Sequence, residues 1–159
     1  MGFGTNGEII IERHAELCLH LRLRTRGDAS TENIHPLKVT DRFHLMHNGT
    51  LRLPARVASR SDSWHLAMDL LRPLAAHWPN LPIHSSFQAL VEAGLTPENK
   101  LVLLDAQAQR LIFFNRHHGA EFEGLWLSST RWIDRRRLPL TDAPQPQQKT
   151  YSANELEFI

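Results

Sequence analysis

The chain is poor in several features that mark common protein classes. A single cysteine in 159 residues excludes an intramolecular disulfide framework and a cysteine-rich zinc module. No apolar run approaches the roughly 20 residues that a membrane-spanning helix needs, and the first residues lack the basic and apolar parts of a signal peptide. With 42% hydrophobic residues and a net charge of +1, the chain is too apolar and too weakly charged to be disordered. We therefore predict a soluble, cytoplasmic globular protein without a membrane partner.

Lysine is also scarce, because 15 of the 18 cationic residues are arginine. Arginine suits bidentate binding of a carboxylate or phosphate, whereas the near-zero net charge argues against nucleic-acid binding by bulk electrostatics. Histidine is abundant, but His44 and His47 lie three apart on a predicted strand and would point to opposite faces. No spacing matches a zinc signature. We predict a specific anion pocket, no metal, no cofactor and no nucleic-acid partner.

Turn signals and periodicity predict an α+β layout, in which strands are followed by two helices and then by further strands. The Asn6-Gly7 and Asn48-Gly49 turns each predict a pair of strands. Alternating leucines from Leu17 to Leu23 predict a strand with one buried face. Three later apolar runs are predicted strands, at 101–104, 111–114 and 125–128. Residues 139–159, rich in proline and glutamine, are a predicted extended or disordered tail.

Two helices are predicted between these groups of strands. The first begins at the capping residues Ser61-Asp62-Ser63 and ends before Pro79. Its apolar positions fall at helical spacing, at Trp64, Ala67, Met68, Leu71, Leu74 and Ala75. The second begins near Ser85 and closes at Gly94, with Phe87, Leu90 and Val91 predicted on one face.

The stretch from His20 to Asp62 holds the residues best suited to binding a small zwitterion. Arg22 follows a predicted strand, the Asn48-Gly49 amides lie in a turn, and Asp62 starts a helix. An arginine pairs with a carboxylate, an aspartate pairs with an ammonium group, and amide donors hold a carbonyl oxygen. A free amino acid offers all three groups.

At these residues the sequence resembles the class II glutamine amidotransferases, which belong to the N-terminal-nucleophile hydrolase superfamily. The likeness is closest to compact single-domain members found in bacteria and their viruses. Four family motifs occur here in order, as Arg22-x-x-Thr25-x-Gly27, Asn33-x-His35-Pro36, His47-Asn48-Gly49 and Asp62. The resemblance implies two facing antiparallel sheets with flanking helices over residues 1–138, ahead of the 139–159 tail.

The resemblance also implies a role for each matching residue. Arg22 would pair with the α-carboxylate of L-glutamine, and Thr25 would shape that part of the pocket. Asn48 and Gly49 would form the oxyanion hole, and Asp62 would hold the α-amino group. The ligand implied is L-glutamine or a similar amino acid.

The family's nucleophile is a cysteine at the mature amino terminus, whose α-amino group acts as general base. This chain starts Met1-Gly2, and its first residues resemble the family's second and third strands. We therefore expect no independent glutaminase activity. Three alternatives stay open: Cys18 as a substitute, self-cleavage before Thr5, or a cysteine-bearing strand supplied by a separate or lost segment.

A second hypothesis comes from another functional class. Loss of a sheet strand would leave unpaired main-chain groups, and another chain or a second copy of this one could add a strand there. The protein would then be a non-catalytic interaction or regulatory module, acting on a partner protein or as a homo-oligomer.

Overall fold

The computed structural model describes residues 2–3, 9–10, 16–20, 27–131, 133–134, 136–137 and 141–142. The chain divides into two compact units, Met1–Asn115 and Arg116–Ile159. Its elements confirm the predicted α+β class, because helices accompany sheets in which every pairing is antiparallel. None of the helices in the described ranges is long and apolar enough to cross a membrane.

The first unit contains a two-stranded ladder and a four-stranded sheet. The ladder pairs β1 (Gly2–Phe3) with β2 (Ile9–Ile10), as the Asn6-Gly7 turn predicts. The larger sheet has the order β3-β4-β5-β6. Its strands are β3 (Leu37–Lys38), β4 (Phe43–Asn48), β5 (Lys100–Asp105) and β6 (Arg110–Phe114).

A continuous helical run links β4 to the second half of the sheet and confirms the first predicted helix. It comprises α1 (Asp62–His65), a π-helical segment (Leu66–Leu71) and α2 (Arg72–His77). Proline in a helix lacks an N–H and crowds the carbonyl four residues before it. The wider π turn just before Pro73, in which the Arg72 N–H donates to the Ala67 carbonyl, accommodates that ring. The last helix is α3 (Ser85–Gly94), and short 3-10 turns occur at Thr31–Asn33, Leu81–Ile83 and Arg116–His118.

The hydrophobic core of the first unit lies between the four-stranded sheet and the helical run. The sheet contributes Leu37, Phe43, Leu45, Leu101, Leu103, Ile112 and Phe114, and the helices contribute Leu66, Ala67, Leu71 and Ala75. Full burial of a large apolar side chain is worth about 1.5–3 kcal/mol. This core therefore holds the end of β4 against the start of α1, where the predicted site residues lie.

The strand predicted after Asn48-Gly49 is absent from the structure. Residues 50–55 form no strand, and Leu51 turns into the core instead. The reason is topological. β5 pairs with β4 along its whole length, and β3 pairs with His44 and Leu45 on the other edge, so a strand returning from Gly49 could not run along the full length of β4.

Two predicted apolar faces differ from the structure in part. Residues 16–20 form no strand, and Leu19 is 71% exposed, whereas residues 21–24 of that predicted strand lie outside the described part of the chain. On α3, Leu90 is also 71% exposed, while Phe87 and Val91 are half-buried against the core. Phe87 and Val91, four residues apart, define the buried face, and Leu90 lies to its side.

The second unit contains a three-stranded sheet with the order β8-β7-β9. Its strands are β7 (Ala120–Phe122), β8 (Leu125–Leu127) and β9 (Thr141–Asp142). The turn between β7 and β8 has positive φ at both Glu123 and Gly124, as tight hairpins require. The strand predicted at 125–128 is confirmed. β9 lies within the predicted tail, and residues 143–159 are outside the described ranges.

Candidate functional site

The four motif segments meet around the start of α1. The first motif contributes Gly27, whose φ of +72° lies in the left-handed region that favours glycine. A Cβ there would lie 2.8 Å from the Ser61 backbone nitrogen and 3.0 Å from Nδ2 of Asn33. Glycine therefore lets the first motif pack directly against the residue that caps α1.

Asn33, from the second motif, ties these segments together. Its side chain is completely buried, and its Nδ2 donates to the Asp28 carbonyl at 3.2 Å, to Asp28 Oδ1 at 3.0 Å and to the Ser59 carbonyl at 2.9 Å. Its Oδ1 accepts from the Ser61 N–H at 2.8 Å. Since both ends of the amide are used, Asn33 aligns the chain after Gly27 with the start of the helix.

His47, from the third motif, lies in a buried hydrogen-bonded network. Its Nδ1 is 2.8 Å from the Ser63 Oγ, and its Nε2 is 3.0 Å from Oδ1 of Asn99. Burial lowers the pKa of His47 below its ordinary value, and the hydrogen bond with Asn99 and the charge of Asp62 oppose this shift only in part. The imidazole is therefore neutral at pH 7, and it joins β4 to α1 and to the residue before β5.

Asp62, the fourth motif, reaches back to the chain after Gly49. Its Oδ2 accepts from the Leu51 N–H at 2.5 Å, and the residue is only 7% exposed. Within the described residues, its Oδ1 accepts no hydrogen bond. The carboxylate lies in the first turn of α1, where the helix dipole favours negative charge. The site thus holds one carboxylate oxygen that is positioned but not used.

The Asn48-Gly49 bend ends β4 beside this carboxylate. Asn48 is half-buried, and Gly49 is exposed with φ +131°. A Cβ at position 49 would lie 2.9 Å from both the Cα of Asn99 and the carbonyl oxygen of Glu98. Glycine is therefore required by its conformation and by its neighbours, because Asn99 and Glu98 occupy the space that a side chain would need.

The structure thus brings together three of the five predicted site residues. Asn48, Gly49 and Asp62 adjoin through the hydrogen bond between Leu51 and Asp62. Arg22 and Thr25 lie outside the described residues. Sequence reasoning missed Asn99, which bonds His47 and contacts Gly49. Nothing local marks Asn99, because its place follows from the β4–β5 register, in which Asn48 pairs with Lys100.

Metal binding and a substitute nucleophile are the two other chemistries that the sequence raises. Among the described residues, no three histidine, cysteine, aspartate or glutamate side chains form a group able to hold a metal ion. Burial raises the pKa of the Cys18 thiol, which lowers its thiolate fraction at neutral pH and hence its nucleophilicity. Thr5, the other substitute nucleophile considered, is outside the described residues.

A comparison of the chain with protein-family models, with curated proteins and with solved structures finds no match.

Proposed function

We propose that the chain is a class II glutamine amidotransferase-like domain, with an N-terminal-nucleophile hydrolase-like fold, that binds L-glutamine or a similar amino acid. One observation carries the proposal. Four motifs spread between Gly27 and Asp62 meet at one helix start, and buried hydrogen bonds from Asn33 and His47 hold them there. Helix capping alone needs Ser61 and no such convergence.

The unused Oδ1 of Asp62 is the group that recognises an ammonium ion. Its partner oxygen is bound by the Leu51 N–H, so the carboxylate cannot rotate freely. A charged hydrogen bond to a fixed and mostly buried carboxylate is worth about 1.5–3 kcal/mol. Asp62 therefore selects a ligand with a free α-amino group.

The Asn48-Gly49 bend supplies the donors for the ligand's side-chain carbonyl. In this proposal the Asn48 amide and the Gly49 N–H hold that oxygen, while Arg22 and Thr25 bind the α-carboxylate. Cleavage of the amide also needs a nucleophile. The Ser63 hydroxyl in this cluster is buried and bonded to His47, and Cys18 favours the thiol form. The proposal is therefore binding of the amino acid, without hydrolysis by these groups.

The contacts at the outer strands favour ligand binding over strand addition to the four-stranded sheet. On β6, the Leu111 N–H donates to Glu16 at 2.6 Å, and just beyond it the Asn115 N–H donates to Glu92 at 2.8 Å. At β3, Arg72 donates to the Lys38 carbonyl at 2.8 Å and to the Val39 carbonyl at 3.0 Å. These side chains occupy main-chain groups that an added strand would use.

Calorimetric titration of the full chain with L-glutamine tests the proposal, with D-glutamine as the ligand control. In Asp62→Asn the amide oxygen still accepts the Leu51 N–H, but the charge is lost. We expect affinity for L-glutamine to fall by roughly 10–150-fold while the free energy of unfolding changes little. The matched control is Asp41→Asn, which removes an exposed carboxylate on the surface.

Asp62→Ala separates the structural role from the binding role. It removes the acceptor of the Leu51 N–H as well as the charge, so it lowers both stability and affinity. The proposal is wrong if L-glutamine gives no heat with the unmodified chain. It is also wrong if Asp62→Asn binds L-glutamine as tightly as Asp41→Asn does.

A further inference from the structure

We propose that His47 is a positioning residue, held as a neutral imidazole between Ser63 and Asn99, and that its charge state controls the conformation of the Asn48-Gly49 bend. The effect on affinity for L-glutamine rests on the proposed function, but the effect of His47 on the bend does not. His47 itself need touch no ligand. It acts through Asn99, which it shares with Gly49.

The hydrogen bonds around Asn99 determine which imidazole nitrogen carries the proton. Nδ2 of Asn99 donates to the Thr96 Oγ1 at 2.8 Å, so Oδ1 is the atom that faces His47. A carbonyl oxygen only accepts, and Nε2 of His47 must therefore carry a hydrogen. Nδ1 is then the acceptor for the Ser63 hydroxyl. The network runs in one direction, from Ser63 through His47 and Asn99 to Thr96.

Asn99 connects this network to the bend. Its amide oxygen occupies the space where a side chain at position 49 would begin, so Gly49 packs directly on it. The Asn99 backbone is anchored as well, because its carbonyl accepts from Nδ2 of Asn115 at 3.0 Å. Any shift of the His47 ring must therefore move either the Asn99 side chain or the bend that contacts it.

Protonation of His47 would disturb this arrangement. A hydrogen on Nδ1 would face the Ser63 oxygen, so the hydroxyl would have to rotate and stop donating. The new charge would also be buried. The charged group that acts on the ring is Asp62 on α1, whose negative charge favours protonation and opposes the effect of burial only in part. On β5, Lys100 pairs with Asn48 and donates to the Glu98 carbonyl.

The test is nuclear magnetic resonance of the ¹⁵N-labelled full chain between about pH 8 and pH 5. We expect imidazole shifts that show the hydrogen of His47 on Nε2 at neutral pH. We also expect the Gly49 amide signal to move with the same midpoint as the ring. A neutral His47 with its hydrogen on Nδ1 would overturn the proposal, and so would a Gly49 signal that ignores the titration of the ring.

Asn99→Asp is the decisive variant, because it keeps the shape and the acceptor while adding a charge. A carboxylate at this distance moves the His47 midpoint upward by at least about one pH unit. That shift follows from the charge alone, whatever the role of Asn99. The proposal requires the Gly49 midpoint to move with it, whereas a bend that His47 does not control would keep its own midpoint. Asn80→Asp is the control, since Asn80 bonds Arg42 near the other end of β4 and leaves His47 unchanged.

Titration with L-glutamine then sharpens the result. Affinity should fall when His47 becomes charged, at a pH that is higher for Asn99→Asp than for the unmodified chain. If the unmodified chain binds no glutamine, the proposed function fails, and the ring and Gly49 signals still decide the positioning role. If glutamine binds with a pH profile that Asn99→Asp does not shift, the positioning role fails alone.

Discussion

The β4–β5 pair carries two buried polar arrangements, a charged one at one end and a neutral one at the other. At the first end, Arg42 donates from Nε and Nη2 to the two carboxylate oxygens of Asp105, each at 2.8 Å. Asp105 is fully buried, and the Arg42 guanidinium holds the pKa of its carboxyl below the ordinary value. At the second end, His47 is buried without charge between two neutral partners.

The two ends differ in how many of their carboxylate oxygens accept hydrogen bonds. Around Asp105, Oδ1 also accepts from the Ala108 N–H at 3.2 Å, and the remaining Arg42 nitrogen donates to Asn80 at 3.0 Å. The charged end is therefore complete and serves stability. At the neutral end, the Oδ1 of Asp62 has no hydrogen bond from the described residues. Among the described residues, Asp105 thus uses both of its carboxylate oxygens, whereas Asp62 uses one.

The largest effect should follow from breaking the charged end. Asp105→Ala leaves Arg42 without its carboxylate, and loss of one partner of a buried ion pair costs about 3 kcal/mol. Urea unfolding measures this loss. Arg110→Ala is the control, because Arg110 is half-exposed and 3.9 Å from Asp105, so its removal should cost about 0.5 kcal/mol. Equal losses in the two variants would mean that the ion pair is not the main support of this end.

A smaller loss should follow from crowding the neutral end. Gly49→Ala imposes positive φ on a residue with a Cβ and pushes that Cβ into Asn99, and we expect a loss of about 2 kcal/mol. Gly124→Ala also has positive φ but meets nothing within 4 Å, so it should lose only about 1 kcal/mol. Thermal unfolding measures both. If the two losses are the same, Asn99 does not press on the bend.

Removal of the helix cap at the neutral end should cost still less. The Ser61 Oγ accepts from the Trp64 N–H at 3.1 Å, and Ser61→Ala should lower stability by about 1 kcal/mol. Ser86→Ala is the comparison, because Ser86 is exposed in the first turn of α3, where no side chain caps the helix. A null effect of Ser61→Ala in urea unfolding would show that tertiary contacts alone hold the start of α1.

The smallest effect concerns pH. Because the folded pKa of His47 is lowered, the unfolded chain binds the proton more readily, and stability falls as pH drops below the ordinary histidine value of about 6.5. The loss at pH 6 should be under about 1 kcal/mol. His47→Gln should remove this part of the pH dependence. Urea unfolding at pH 7 and at pH 6 measures the free energy of unfolding for both proteins. If that free energy falls as much in His47→Gln as in the unmodified chain, other groups cause the pH dependence.

Local signals predicted the elements that local physics controls. The Ser61 cap and the apolar stripe placed the first helix, because capping and helical periodicity act within a few residues. The same logic failed at Thr50–Leu53, where the Asn48-Gly49 turn predicted a second strand but β4 pairs with β3 and β5 instead. It failed again for Leu19 and Leu90, whose exposure depends on what packs beside them.

The sequence by itself determined the α+β class, the start of α1 and the motif residues Asn48, Gly49 and Asp62. Only the tertiary structure decided that Asn99 would face His47, that Asn33 would bridge Asp28 and Ser61, and that only one oxygen of Asp62 would accept a hydrogen bond from the described residues. The physical reason is the distance along the chain over which each kind of interaction acts. Caps, turns and periodicity are set by neighbours in the chain, whereas the partner of a buried polar group is set by strand register and packing across dozens of residues.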